Sequence, residues 1–528
     1  MRVFGGSGRA GRAVALAGAV LLVTGMAAGC DGTASPEPSA RATGPGASPS
    51  ATGSGEPGPP VLPAAITSQK LDWKRCGAPD GGTAPGSAWR CATLKVPLDY
   101  ADPDGATIGI ALIRKAARGS GERLGSMLFN FGGPGGSGVG ILPRAADAYR
   151  KLNTRYDLVS FDPRGVAGSE GVKCVTDKEQ EKEFRTIDMT PDTAAEEAAF
   201  IADGADFGAA CEHRSGRMLP HVRTTDAARD MDVIRQVLGD RTLSYFGISY
   251  GTELGGTYAH LFPRNVGRTV LDAVVDPTAD SVGHARNQAM GFQRALENYL
   301  KDRGQDPKAG TRRIAGLLKR IDSHPLPTAT GRTLNESLAI IGIVTPLYSE
   351  SSWPALTQAL DEAETAGTGN GLLRLADAYN GRDANGHYDT QSHAQRAISC
   401  ADSKARPTAA DARALLPEFR KLSPVFGPFL AWDTAGWCAR WPVAGEHDTP
   451  EASAPGAGPV LVIGTTGDPA TPYEGARKMA DELGKGVGIM ITNKGEGHGA
   501  YGESPCVTSM VDDYFLDGKV PASGSTCS

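Results

Sequence analysis

Ser249 stands in Gly247-Ile248-Ser249-Tyr250-Gly251, a G-x-S-x-G set between a short apolar run, Leu243 to Phe246, and a helical pattern that ends at Pro263. In that setting the motif predicts a nucleophile on a sharp strand-to-helix turn. Two glycines let the backbone turn tightly, and the serine is held in a strained conformation with its hydroxyl exposed at the helix N-terminus. There the amide of Tyr250 points at a developing oxyanion. In a chain with 69 glycines the five residues alone could arise by chance, and the flanking strand and helix are what give them meaning.

A serine nucleophile needs a base, and the base needs an orienting acid. Sheet character returns late in the chain at Pro459 to Gly464, which runs out to Thr465-Thr466-Gly467-Asp468. It returns again at Val487 to Thr492, which leads to Gly495-Glu496-Gly497-His498-Gly499. An acid and then a histidine, each just past the carboxyl end of successive strands, can meet the serine at one sheet edge. Ser249, Asp468, His498 is also the chain order of α/β-hydrolase triads, with His498 as general base.

A second glycine loop, Gly132-Gly133-Pro134-Gly135-Gly136-Ser137-Gly138, follows the strand Ser126 to Phe131. It formally contains G-x-G-x-x-G, so a dinucleotide fold has to be weighed. With a serine elbow downstream, the hydrolase use is preferred, in which backbone amides complete an oxyanion hole. Gly133 is the expected donor beside Tyr250, with Gly132 and Gly135 as alternatives.

The elements that position these residues alternate. Thr107 to Lys115 and Tyr156 to Phe161 read as strands, and the latter ends in Asp162-Pro163-Arg164-Gly165, a pair expected to lock its loop rather than touch substrate. Residues 175–240 are helical in character, and TTDAARDMDVIRQVLG carries an apolar stripe. After Arg268 to Val275 and Asp276-Pro277 the alternation stops, and residues 278–424 read as helices with loops. The expected fold is therefore α/β: an α/β-hydrolase with a mostly parallel central sheet and a largely helical lid inserted after the sixth strand. Its parts would be a first hydrolase segment at 66–277, the lid at 278–424 and a second hydrolase segment at 425–528.

Residues 1–29 resemble an export signal, with Arg2, Arg9 and Arg12 ahead of the apolar stretch Val14 to Val23, which is too short to span a bilayer. Ala27-Ala28-Gly29-Cys30 resembles a bacterial lipobox, with Ala where Leu is usual, so Cys30 is a candidate lipidation site. The 30–65 stretch of Gly, Ser, Pro, Ala and Thr is expected to be a disordered tether. Of nine cysteines, lipidation of Cys30 would leave eight, an even set suited to an oxidising compartment. Their clustering suggests Cys76–Cys91, Cys174–Cys211, Cys400–Cys438 and Cys506–Cys527, among 105 formal pairings. No C-x-x-C or H-E-x-x-H occurs, so disulfides are preferred to metal. A net charge of −6 without a basic run in the body argues against nucleic acid as a partner. Membrane contact is expected only through the lipid on Cys30.

Taken together, FNFGGPGGSG, DLVSFDPRGVAGS, YFGISYGTELGGTYAHLFP, VIGTTGDPATP and GEGHGAY resemble the secreted tripeptidyl aminopeptidases and related exported α/β-hydrolases of actinomycetes, over roughly residues 70–280 and 395–528. The resemblance implies Ser249, Asp468 and His498 as triad, no cofactor, and removal of short peptides from free N-termini. Some relatives act as esterases, so a carboxylesterase is the alternative. An aminopeptidase must hold a substrate ammonium with acidic groups. Glu253, in the first turn after the nucleophile, and Asp276, at the start of the lid, are candidates. Asp361, Glu362 and Glu364 in the lid are equally eligible.

Overall fold

The computed structural model describes residues 62–78 and 83–528; the signal, Cys30 and nearly all of the tether lie outside them. Ten strands form one sheet: β1 (Lys74–Arg75), β2 (Trp89–Pro97), β3 (Thr107–Lys115), β4 (Gly125–Asn130), β5 (Tyr156–Phe161), β6 (Leu243–Ile248), β7 (Val266–Asp272), β10 (Val460–Gly467), β11 (Gly488–Glu496) and β12 (Ser525–Cys527). Leu326–Pro327 (β8) and Thr333–Leu334 (β9) make a separate small ladder. The sheet order is β1-β2-β3-β5-β4-β6-β7-β10-β11-β12. The first three are antiparallel to their neighbours and the rest run parallel.

Helices cover both faces, which is why β4 and β5 are buried at every position. The pleat divides them: Met127 and Phe129 enter the apolar cluster with Leu142 and Phe515, whereas Leu128 joins Met231, Leu254 and Met479 on the other face. The helical insertion follows β7, the sixth strand when the two-residue edge β1 is not counted.

Packing redraws the expected boundaries. Helix Gly427–Gly436, read from sequence as part of the second hydrolase segment, buries Phe429 and Trp432 among the lid residues Phe292, Leu296 and Phe419. Helix Gln391–Asp402, read as lid, instead packs Ala394, Ile398 and Ala401 into the main core. β7 also stops at Asp272, short of the expected Val275, because Ala273 turns into a left-handed conformation with φ 58°.

Helix Ala194–Ser215 joins the two bodies. A Thr193/Glu196 capping box starts it, and Phe200, Gly204, Phe207, Gly208 and Cys211 recur on one buried face at helical spacing. A Cβ on Gly204 would lie 2.4 Å from the Gly436 carbonyl oxygen, so this helix approaches Gly427–Gly436 at backbone distance. The disulfides Cys76–Cys91, Cys174–Cys211, Cys400–Cys438 and Cys506–Cys527 are all formed, in the pairs their clustering suggested. They are the chemistry of an oxidising, extracellular setting.

Arg164 and Asp162 are locks. Arg164 is fully buried and grips both carboxylate oxygens of Asp230 at 2.7 and 2.8 Å. Its remaining donors reach the carbonyls of Pro97, Leu98 and His221. Asp162 accepts from Ser137 Oγ, Val139 N and Gly168 N, which pins the far end of the glycine loop. Removing one partner of a buried pair strands the other charge, so Arg164→Met should lower unfolding free energy by about 3–5 kcal/mol. Denaturant titration measures this, and a loss under about 1 kcal/mol would contradict the lock.

Candidate active site

Ser249 is a non-glycine residue at φ 59°, ψ −128°, wedged between the end of β6 and the first turn of helix Tyr250–Leu261. The flanking glycines are demanded by contact. A Cβ at Gly247 would sit 2.3 Å from the Gly251 carbonyl oxygen, and one at Gly251 would sit 2.6 Å from that of Asn130. The strain is held by hydrogen bonds: Ser249 N donates to the Asp272 carbonyl at 3.1 Å, while Thr252 N and Oγ1 both reach the Ser249 carbonyl at 2.7 Å. The hydroxyl expected to be exposed is instead buried, at 2% exposure.

Asp468 and His498 meet. His498 Nδ1 lies 2.9 and 3.0 Å from the two oxygens of Asp468. An ionised carboxylate only accepts, so the proton belongs on Nδ1 and Nε2 carries the lone pair. Asp468 also accepts from Ala470 N, Thr471 N and Thr471 Oγ1, so its orientation is fixed from its own loop. Ser249 Oγ and His498 Nε2 are both buried and neither has a hydrogen-bond partner. The serine–histidine bond is therefore not made here, as is common for catalytic groups before substrate arrives.

One residue missed by sequence reasoning ties the two halves together. Asp272, at the carboxyl end of β7, offers its carbonyl to Ser249 N and its carboxylate to Ala500 N and Tyr501 N, at 2.9–3.1 Å. Burial pushes its carboxyl up, and those two amides oppose the shift. The available signal was a carboxylate within an apolar segment, one that Asp276, four residues later, shares. The second missed residue is Tyr348 of the lid. Its carbonyl accepts from His498 N at 2.8 Å, and its ring stands edge-on to the imidazole at 5.3 Å.

The glycine loop discriminates among its expected donors. Gly132 N is engaged with Asn130 Oδ1 at 2.9 Å, which removes it as a candidate. The Gly133 amide has no acceptor among the described residues, and its carbonyl receives Gln395 Nε2 at 3.5 Å. Gly135 lies under helix Gln391–Asp402, where a Cβ would be 2.5 Å from the Gln391 carbonyl oxygen. Tyr250, whose amide opens the elbow helix, is anchored through its phenol to Thr224 Oγ1 at 2.6 Å.

Of the expected ammonium ligands, Asp276, Glu362 and Glu364 are otherwise engaged. Asp276 is ion-paired with Lys478 at 2.7 Å and accepts from Thr278 and Asn287. Glu253 shares the helix face of Tyr250, one turn on, and burial pushes its carboxyl up to about 7. In the lid, Glu362 accepts from Asn370 N and Gly371 N, Glu364 pairs with Arg313, and Asp361 is exposed. Asp402, Glu446 and His447 offer ligand atoms within 4.8 Å of one another, but both Asp402 oxygens already accept from Thr224.

A family model described as alpha/beta hydrolase fold matches residues 125–340, and one described as TAP-like protein matches residues 423–527. Serine protease Hip1 of Mycobacterium tuberculosis is 35% identical over 486 residues, covering 87% of this chain and 91% of that protein. Carboxylesterase B of the same species is 36% identical over 492 residues, covering 89% and 93%. Tripeptidyl aminopeptidase of Streptomyces lividans is 31% identical over 474 residues, covering 87% and 86%.

Gly132 has no room for a side chain: a Cβ there would fall 2.8 Å from Ser249 Cβ and 2.7 Å from the Ile248 carbonyl oxygen. Gly132→Ala should therefore displace the nucleophile and slow labelling by a fluorophosphonate about 100-fold, the scale of a 1 Å misplacement. Labelling at the wild-type rate would show that this contact does not position Ser249.

Proposed function

Since this chain belongs to the TAP-like family of α/β-hydrolases, we propose that it is an exported serine aminopeptidase releasing short peptides, tripeptides among them, from free N-termini. The relatives named serine protease and tripeptidyl aminopeptidase favour a peptide as its substrate, and the observation that carries the serine-hydrolase chemistry is His498. One ring nitrogen is bonded to Asp468, the other is unpartnered, and the loop that bears it is tied through Asp272 to the strained Ser249.

The chemistry follows from these groups. His498 Nε2 takes the proton of Ser249 as its oxygen attacks the scissile carbonyl, and Asp468 stabilises the imidazolium that forms. The amides of Tyr250 and Gly133 receive the oxyanion, each donor of this kind contributing about 3–4 kcal/mol to the transition state. The imidazolium returns its proton to the leaving amine, and water, deprotonated by the same base, hydrolyses the acyl-enzyme. An ester would pass through the same steps, and the relative named Carboxylesterase B keeps that reading open.

Turnover of a tripeptide aminoanilide should exceed that of its N-acetylated form by about 100-fold, as expected when a buried charge partner is left unpaired. Equal rates, with rapid hydrolysis of short acyl esters, would favour the esterase.

Anchoring through a lipid on Cys30 belongs to the same proposal. It is supported by the lipobox-like Ala27-Ala28-Gly29-Cys30 and by the pairing of the other eight cysteines in disulfides. Cys30→Ala should shift the protein from the membrane pellet to the medium of expressing cells. An unchanged distribution would leave ordinary secretion as the better account.

A further inference from the structure

A cavity of about 120 Å³ lies between the lid and helix Gln391–Asp402, lined by residues of six helices and their loops. Its polar wall includes Glu183, Asp203, Asp389 and Asp433, and Arg396 is its one cationic lining residue. Arg396 acts on Glu183, Asp203 and Asp433 through space, without direct pairing. Its guanidinium donates to the carbonyls of Trp437, Gly204 and Gly436, lies over the Phe207 ring, and makes no ion pair among the described residues. Asp433 is 97% buried, and its Oδ2 has no hydrogen-bond partner. An unpaired carboxylate is costly to bury, so Asp433 is held toward its neutral form, and a cation entering the cavity would stabilise its charged form.

The cavity adjoins the oxyanion loop. Gln395 lines it and donates Nε2 to the Gly133 carbonyl, and Gln391, also lining it, has its carbonyl against Gly135. Phe184, Ile187, Phe200, Phe207 and Ile341 supply an apolar wall.

Given the aminopeptidase reading, on which this rests, the geometry points to this cavity as the subsite for the substrate's N-terminal residue. Asp433, with Glu183 and Asp203, receives the α-ammonium, and the apolar wall receives the first side chain. The separation between Asp433 and Ser249 then limits the length of peptide released. Glu253 and Asp276, the acids favoured from sequence, line no part of this cavity.

Burial holds all three carboxyls up, and Glu183, facing Asp203, is pushed to about 8. Arg396 opposes the shift in each of the three, and Asp206 and Lys182 also act on Asp203, in opposite senses. An ammonium needs the carboxylate form, so KM for a free-amine substrate should fall as pH rises toward about 8, the value to which Glu183 is pushed, while the α-amine, with its own pKa near 8, keeps at least half its charge.

The test compares kcat/KM for a tripeptide aminoanilide with an apolar first residue against its N-acetylated form, in full-length wild type, Asp433→Asn and Glu183→Gln. Preference for the free amine should fall about 10- to 100-fold in Asp433→Asn, chiefly through KM. A folded Asp433→Asn that keeps the wild-type preference overturns the assignment. Should that variant not fold, Glu183→Gln, at a less buried position, decides by the same criterion. A KM that stays flat with pH in the wild type also overturns it. A wild type without any preference for the free amine sinks the aminopeptidase reading itself, an outcome visible before any variant is made.

Discussion

A single carboxyl-terminal strand residue, Asp272, makes the bonds on which the site depends. Its carbonyl takes the amide of Ser249, and its carboxylate takes two amides from the loop that carries His498. The nucleophile at φ 59° is in a conformation that a serine does not adopt unaided. The base lies on a loop whose flanking glycines, at 497 and 499, are both left-handed. Each is a locally unfavourable backbone, and each is stabilised by the same buried aspartate. Because β6, β7 and β10 are adjacent parallel strands, their carboxyl ends present Ser249, Asp272 and Asp468 along one edge.

The absence of side chains around the elbow follows from that closeness. The Gly247 and Gly132 positions lie within 3 Å of neighbouring backbone, and a Cβ at Gly132 would touch Ser249 itself. What would weaken an ordinary strand or loop here allows backbone amides to approach a reacting carbonyl. The glycine loop is held from below by Asn130 and Asp162 and from above by Gln395, so the Gly133 amide is oriented before substrate binds.

The lid brings a different electrostatic environment. Around Ser249 the donors are neutral amides, whereas the adjoining cavity holds buried carboxyls with one guanidinium turned to carbonyl oxygens. Tyr348 packs on the His498 ring and on Tyr379, which lines the cavity, and so links the two regions. Any movement of the lid therefore acts on the base as well as on access.

Much of this was legible in the chain. The elbow, the glycine loop, the late acid and histidine, and the local cysteine pairs depend on residues close in sequence, where backbone conformation and short loops leave direct patterns. Asp272 was passed over for Asp276 because both end the same apolar segment, and only the left-handed turn at Ala273 decides which one stays on the sheet. The lid boundary at 424 failed for a related reason: the helices at 391–402 and 427–436 both bury apolar side chains, and composition does not say which core each enters. Asp433 gave no signal at all, since an aspartate in a helix reads as solvated until Phe200 and Trp437 close around it. The sequence by itself determined the reacting groups and their order along the sheet. Only the tertiary structure decided which acids are already paired and which remain unsatisfied, because that depends on contacts between segments hundreds of residues apart.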